Sequence, residues 1–117
     1  MKDVTTAKLL RIHIGELDRA RHKPLFEILV MEAREGGLSG ATVLRGIESF
    51  GASSVVHRAR LVELSEDLPI VVEIVDTEEK IRGYLERIDP ILNEAACGVL
   101  ITMERVEILR WAPKPKA

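Results

Sequence analysis

Cysteine is nearly missing from this chain: Cys97 is the only one in 117 residues. A single thiol makes neither an intrachain disulfide nor a structural zinc site, so no such staple holds the fold, and a reducing compartment is expected. Aromatic residues amount to 3%, so the core has to be aliphatic. Charge of one sign is also lacking: 17 Lys+Arg stand against 19 Asp+Glu, a net of −2. Bulk nucleic-acid binding wants a basic face, so nucleic acid is excluded as a partner, although a local basic patch is allowed. No apolar run approaches the roughly 20 residues that span a bilayer, and Met1–Thr6 has no apolar signal core. The chain is therefore expected to be cytoplasmic and not itself a membrane protein. A G-x-S-x-G elbow and an H-E-x-x-H helix are both missing, and His13, His22 and His57 lack the spacing of a helix-borne metal pair. No catalytic residue, no metal site and no enzymatic activity are expected.

What is present is the composition of a soluble globular domain, 46% hydrophobic and 31% charged. A single domain over 1–117 is expected, with flexible ends at 1–6 and 112–117. Alternation predicts a first strand over 9–14, and a loop over 16–23 leads to Pro24 as the first residue of a helix ending near Glu35. Gly36-Gly37 stops that helix. The stretch Gly40 to Gly51 forms the second strand, followed by a basic loop or ragged strand over 51–60 that contains no acid. A short strand is expected at 61–64. The β-branched run Ile70 to Val75 is the third main strand. Asp76 with Glu79 predicts a capping box for a helix over 77–89, which Pro90 kinks or breaks before a continuation to about Ala96. Ile81, Leu85, Ile88 and Leu92 mark its buried face. Gly98 ends it. Strands at 99–103 and 106–111 close the pattern.

The order is β-α-β twice. It predicts an α+β, ferredoxin-like βαββαβ fold: an antiparallel sheet with two helices on one face. Two helices cover one face only, yet the runs at 70–75 and 99–103 carry apolar side chains on both. Soluble monomers avoid exposing such a patch, so an oligomer with its free sheet faces packed inward is expected, unless the last strand or the tail folds over that face.

Two basic groups are candidate anion sites. Arg19, Arg21, His22 and Lys23 precede a helix N-terminus, where free amides and the dipole favour an anion; the alternative is a solvated basic loop. His57, Arg58 and Arg60 can hold phosphate or carboxylate, and the alternative is a loop that docks a partner. Arg45 shares a strand face with Val43 and Ile47 by alternation. A charge there is expected to be paired, with Glu48 or an acid across the sheet, or else to serve as a ligand fork at a subunit interface. Cys97 follows a helix end, where no dipole lowers its pKa, and is expected to be a buried small hydrophobe.

Gly40, Thr42, Val43, Phe50 and Gly51 resemble the G-x-T-V … G-F-G run of the PII signal-transduction proteins, and Leu68-Pro69 with Glu73-Ile74-Val75 resembles their third strand. Gly98 and Arg110 fall where that family has its last strands. The fuller string Gly40 to Ile47, with Gly15-Glu16 and Lys23-Pro24-Leu25 before it, is more similar still to a PII-like family, domain of unknown function 190. The resemblance implies a homotrimer of ferredoxin-like subunits. It implies an adenine nucleotide, or another small anionic effector, in clefts between subunits, and no other cofactor. It also implies a loop at 51–60 that contacts a membrane transporter or an enzyme target. The ligand-binding set expected from this and from the basic residues is Thr42, Arg45, Phe50, Gly51, His57, Arg58, Arg60 and Arg110. The chain departs from the PII pattern in five places, one of them Ser49, which stands where PII has a glycine. One extra residue between Thr42 and Gly51 predicts a bulge. Ala52 stands where PII has a phosphate-contacting arginine. The nucleotide loop is cut to Asn93–Gly98, with Val99 replacing its lysine. The only tyrosine, Tyr84, is on the second helix, so uridylylation is not expected. The alternatives are a small ferredoxin-like enzyme built on Arg45, His57 and Arg58, or a docking subunit without a ligand.

Overall fold

The computed structural model describes residues 5–49, 57 and 58, and 67–115. The elements are β1 (Thr5–Gly15), β2 (Arg19–Ala20), β3 (Lys23–Pro24), α1 (Leu25–Glu35), β4 (Thr42–Arg45), β5 (Glu48–Ser49), β6 (His57–Arg58), β7 (Pro69–Asp76), α2 (Glu78–Ala95) and β8 (Leu100–Ile108). Four of them make the main sheet in the order β4-β7-β1-β8, with every pair antiparallel. This is the predicted ferredoxin-like order. The remaining short strands form two ribbons, β2 with β3 and β5 with β6.

Alternation decides which face each strand residue takes. Leu10, Ile12 and Ile14 of β1 and Ile70, Val72 and Ile74 of β7 are buried under the helices. From α1, Leu25, Ile28, Leu29 and Ala33 meet them. From α2 the buried residues are Ile81, Tyr84, Ile88 and Ile91. The expected stripe through Leu85 and Leu92 is thus rotated, and those two are only partly buried. Tyr84 explains the rotation. Its ring fills the gap between the helices, and its hydroxyl donates to the Leu29 carbonyl at 2.8 Å, so the one polar atom it buries has a partner. Burial, with Glu32 nearby, pushes its ionisation far up.

Several expectations need correction. Thr77, not Asp76, caps α2: its side chain accepts from the Lys80 amide at 3.3 Å. Pro90 does not break the helix, which runs on to Ala95. Pro90 and Glu86, whose carbonyl loses its donor, are both on the exposed side, where water can satisfy that carbonyl, while Ile88 and Ile91 anchor the helix on the other side. The strands at 99–103 and 106–111 are one, β8, paired with β1 from Leu100 to Ile108; Met103 pairs with Leu10 and points inward. Pro24 precedes the first helical residue rather than being it, and Thr5 and Thr6 belong to β1. The second strand, expected over 40–51, is interrupted at 46–47, between β4 and β5. There Gly46 donates to the Pro69 carbonyl at 2.8 Å, and a Cβ on it would meet the Pro69 ring at 2.5 Å. The strand predicted at 61–64 lies outside the described residues.

The end of α2 carries a small conformational cost. Ala96 caps it in the left-handed region (φ 52), donating to the Leu92 carbonyl, so Gly98 is not the terminator. A Cβ in that conformation costs about 1 kcal/mol. Ala96→Gly is therefore expected to raise the unfolding free energy by about 0.5–1 kcal/mol in urea titrations.

Candidate functional site

The sheet face away from the helices carries Leu9, Arg11 and His13 of β1, Val71, Glu73 and Val75 of β7, Thr42 and Leu44 of β4, and Leu100, Thr102, Glu104, Val106 and Ile108 of β8. Leu44, Val75 and Leu100 are exposed there. The centre is ionic rather than apolar. Arg11 donates to Glu73 at 2.9 Å and to Glu104 at 2.6 Å, tying three strands together. These bonds hold its charge, so its pKa is raised, Glu73 contributing most.

A cleft of about 1110 Å³ crosses one end of this face. Its floor is Ala7, Leu9, Val75 and Val106; one rim is the segment from Gly37 to Thr42, and the other is Leu109 to Trp111, just past β8. Asp76 locks the first rim. Buried, it accepts from the Ser39 amide at 2.8 Å and the Thr77 amide at 2.7 Å, and the Ser39 hydroxyl donates to the Val75 carbonyl. Lys80 adds a bond to the Gly37 carbonyl at 3.3 Å. The loop before β4 is therefore tied to the start of α2 at several points.

Of the predicted ligand residues, the cleft gathers Thr42 and Arg110. Arg110 has no ion-pair partner among the described residues. Arg45 is placed elsewhere. It lies three residues along β4, which is about 10 Å, and on the opposite face. Its guanidinium donates to Glu16, not Glu48, at 3.0 and 3.2 Å. With the Gly46–Pro69 bond, this pair fixes the point where the chain leaves the sheet towards 50–66. His57 and Arg58 form β6 against Ser49 and Glu48. Phe50, Gly51 and Arg60 lie outside the described residues.

The basic group at 19–23 is a two-residue hairpin. Arg19 pairs with Pro24 and Ala20 with Lys23, while Arg21 and His22 turn with positive φ. Arg19 donates to the His22 carbonyl and Arg21 to Glu94, so two of the four basic residues are turned to the protein itself. The Leu25 amide at the start of α1 donates to the Asp18 carbonyl. Between α2 and β8 only 96–99 remain as connection.

Sequence reasoning missed Ser39, Lys80 and Trp111 as cleft residues. Trp111 had a signal: it is the only tryptophan of an aromatic-poor chain, beside Arg110. Cys97 is half-buried, and its thiol is pushed up to about 11, first by burial and then by the charge and hydrogen bond of Asp18. The folded chain thus holds this proton more tightly, and the associated stability is lost as pH rises through 9 towards 11. Iodoacetamide at pH 8 is expected to label Cys97 about a hundredfold more slowly in the native than in the urea-unfolded chain, because the thiolate is the nucleophile. Among the described residues no group of His, Cys, Asp and Glu suits a metal ion, and no helix is long and apolar enough to cross a membrane.

Comparison with known proteins places this geometry. The profile of DUF190, described as "Uncharacterized ACR, COG1993", matches residues 7–108. A UPF0166 protein of Aquifex aeolicus (strain VF5) is 42% identical over 106 residues, covering 91% of this chain and 96% of its own. UPF0166 protein MJ1524 of Methanocaldococcus jannaschii is 31% identical over 87 residues, covering 74% and 80%. Among solved structures, CPII of Thiomonas intermedia K12, a nitrogen regulatory PII-like protein bound to ADP, AMP and bicarbonate, superposes with a TM-score of 0.69 at 16% identity, covering 94% of each chain. A candidate PII-like signalling protein of Thermus thermophilus gives 0.65 at 20% identity, covering 92% and 93%. The chain belongs to the DUF190 family, and its ferredoxin-like fold is that of the PII-like proteins.

Proposed function

We propose that this protein is a trimeric PII-like regulator that binds a small anionic effector, an adenine nucleotide, in the cleft across the outer sheet face. The cleft between the Gly37–Thr42 rim and the Leu109–Trp111 rim is the observation that carries this. Its volume is slightly above that of small-ligand sites, roughly 300–1,000 Å³. It opens on the outer face, where exposed Leu44, Val75 and Leu100 surround the Arg11 ion pairs and a neighbouring subunit would pack, so the effector sits between subunits. β4 then links effector and output. Thr42 at one end lines the cleft, and Arg45 at the other end holds the base of the segment that carries the 51–60 loop. Effector binding biases that loop, and the loop contacts a transporter or an enzyme. The adenine nucleotides in the CPII structure support the choice of ligand class. The chain acts by binding and not by turnover.

Thermal unfolding against a panel of nucleotides and small anions, with solution mass measured alongside, tests this. A trimer whose midpoint rises saturably with ADP or AMP is expected, since a ligand of the native state stabilises by mass action. A trimer indifferent to every nucleotide would leave a docking subunit, and a monomer would remove the intersubunit site.

A further inference from the structure

We infer that Trp111 is the residue that selects the base of the effector, so that the cleft holds its ligand by stacking a planar heteroaromatic ring rather than by its phosphates alone. This rests on the nucleotide reading above. The lining of the cleft argues for it. The floor of Ala7, Leu9, Val75 and Val106 is aliphatic, which suits a ring face and offers nothing to a phosphate. Glu73, Asp76, Glu107, Lys80 and Arg110 also border the cleft, but by register only Glu73 of the three acids is on the outer face. Glu73 is bonded to Arg11, Asp76 to two amides, and Lys80 to the Gly37 carbonyl. Polyphosphate laid along this floor would meet aliphatic side chains and the Glu73 carboxylate. An amino-bearing base would instead find acceptors, in the Thr42 hydroxyl and in the Glu73 carboxylate beyond its Arg11 bond. The aromatic partner is Trp111. It lies beyond the end of β8 and lines the cleft with its ring half exposed, at 49%. Arg110, next in the chain and without an ion pair among the described residues, is placed to meet the first phosphate where the ligand leaves the apolar floor.

Because Trp111 is the only tryptophan, its emission reports on the cleft directly. The experiment titrates AMP, ADP and ribose 5-phosphate, which lacks a base, into the wild type by fluorescence and calorimetry, then repeats the calorimetry on Trp111→Ala and Trp111→Phe. Thermal midpoints show that the variants fold. The expected result is saturable quenching by AMP and ADP with the calorimetric midpoint. Trp111→Ala should weaken AMP and ADP about tenfold, Trp111→Phe should keep most of the affinity, and ribose 5-phosphate should bind all three equally weakly. Wild-type binding with unchanged emission and no loss in Trp111→Ala would overturn the role of Trp111 while leaving nucleotide binding intact. An equal loss for nucleotide and ribose 5-phosphate would overturn it too, by assigning Trp111 a structural task. Calorimetric silence of the wild type towards every nucleotide would remove the nucleotide reading, and the stacking role with it.

Discussion

Asp76→Ala is expected to destabilise the protein by about 2–3 kcal/mol and to loosen the cleft at the same time. The carboxylate is buried and serves two backbone amides, of Ser39 and Thr77, at 2.8 and 2.7 Å. Hydrogen bonds to a charged group contribute about 1.5–3 kcal/mol, and alanine leaves both amides without that acceptor. For a domain of this size the melting midpoint should fall by about 10 °C. Asp76→Asn keeps one acceptor oxygen and should recover roughly half the loss. Ser39→Ala removes only the hydroxyl bond to the Val75 carbonyl, so a smaller loss of about 1 kcal/mol is expected. Because Ser39 belongs to the cleft rim, Asp76→Ala should also weaken AMP binding more than a comparably destabilising core change such as Ile12→Ala. Equal loss of affinity in both variants would mean that the rim plays no part in binding. A drop of less than about 1 kcal/mol would mean that the loop before β4 is held by other contacts.

The fold was legible because its signals are local. The β-branched run at 70–75, the Gly36-Gly37 stop and the two helical stripes give the order βαββαβ directly, and Gly37 does take the left-handed conformation (φ 77). Several of the misses come from contacts distant in sequence. Asp76 and Thr77 are both good caps, and nothing local says that Asp76 is taken by Ser39, 37 residues away. Glu104-Arg105 reads as a break between two strands. In the structure Glu104 reaches Arg11, and β1 pairs along the whole length of β8. Pro90 reads as a kink or break in the helix, yet the burial of Ile88 and Ile91 on the far side outweighs one lost hydrogen bond.

The candidate site was legible in part for a related reason. Thr42 and Arg110 meet in one cleft because β4 and β8, the two edge strands of the sheet, both reach the same end of it. Arg45 looked like a member of the same set because it is close in sequence. A strand advances about 3.3 Å per residue and alternates faces, so three residues carry it to the other end and the other face of β4. Its partner Glu16 lies in the turn after β1, a juxtaposition made only when β7 comes between β1 and β4. The four basic residues at 19–23 invited an anion at the start of α1. The hairpin spends Arg19 and Arg21 on internal acceptors instead, a choice written in backbone geometry that composition does not carry.

Arg11→Ala is expected to break the proposed trimer into single chains, visible as a threefold fall in solution mass. Arg11 stands mid-face between Glu73 on one side and Glu104 on the other, and alanine leaves two carboxylates with no cation between them. The consequence depends on whether water reaches that face. On an open face the carboxylates stay solvated, and the loss resembles that of any surface ion pair, which is small. On a face packed against another subunit they are trapped without a partner, which is among the most damaging changes a buried ion network suffers. The same substitution thus separates the two arrangements. The triple variant Arg11→Leu, Glu73→Leu, Glu104→Leu provides the control. Replacing a whole buried network by apolar groups is often neutral or stabilising, so assembly should return in the triple variant if these faces meet. Were the face in water, the triple variant would add three exposed leucines beside Leu44, Val75 and Leu100 and aggregate instead. A wild-type trimer that survives Arg11→Ala unchanged would place the subunit contact elsewhere, and the cleft would then have to be complete within one chain.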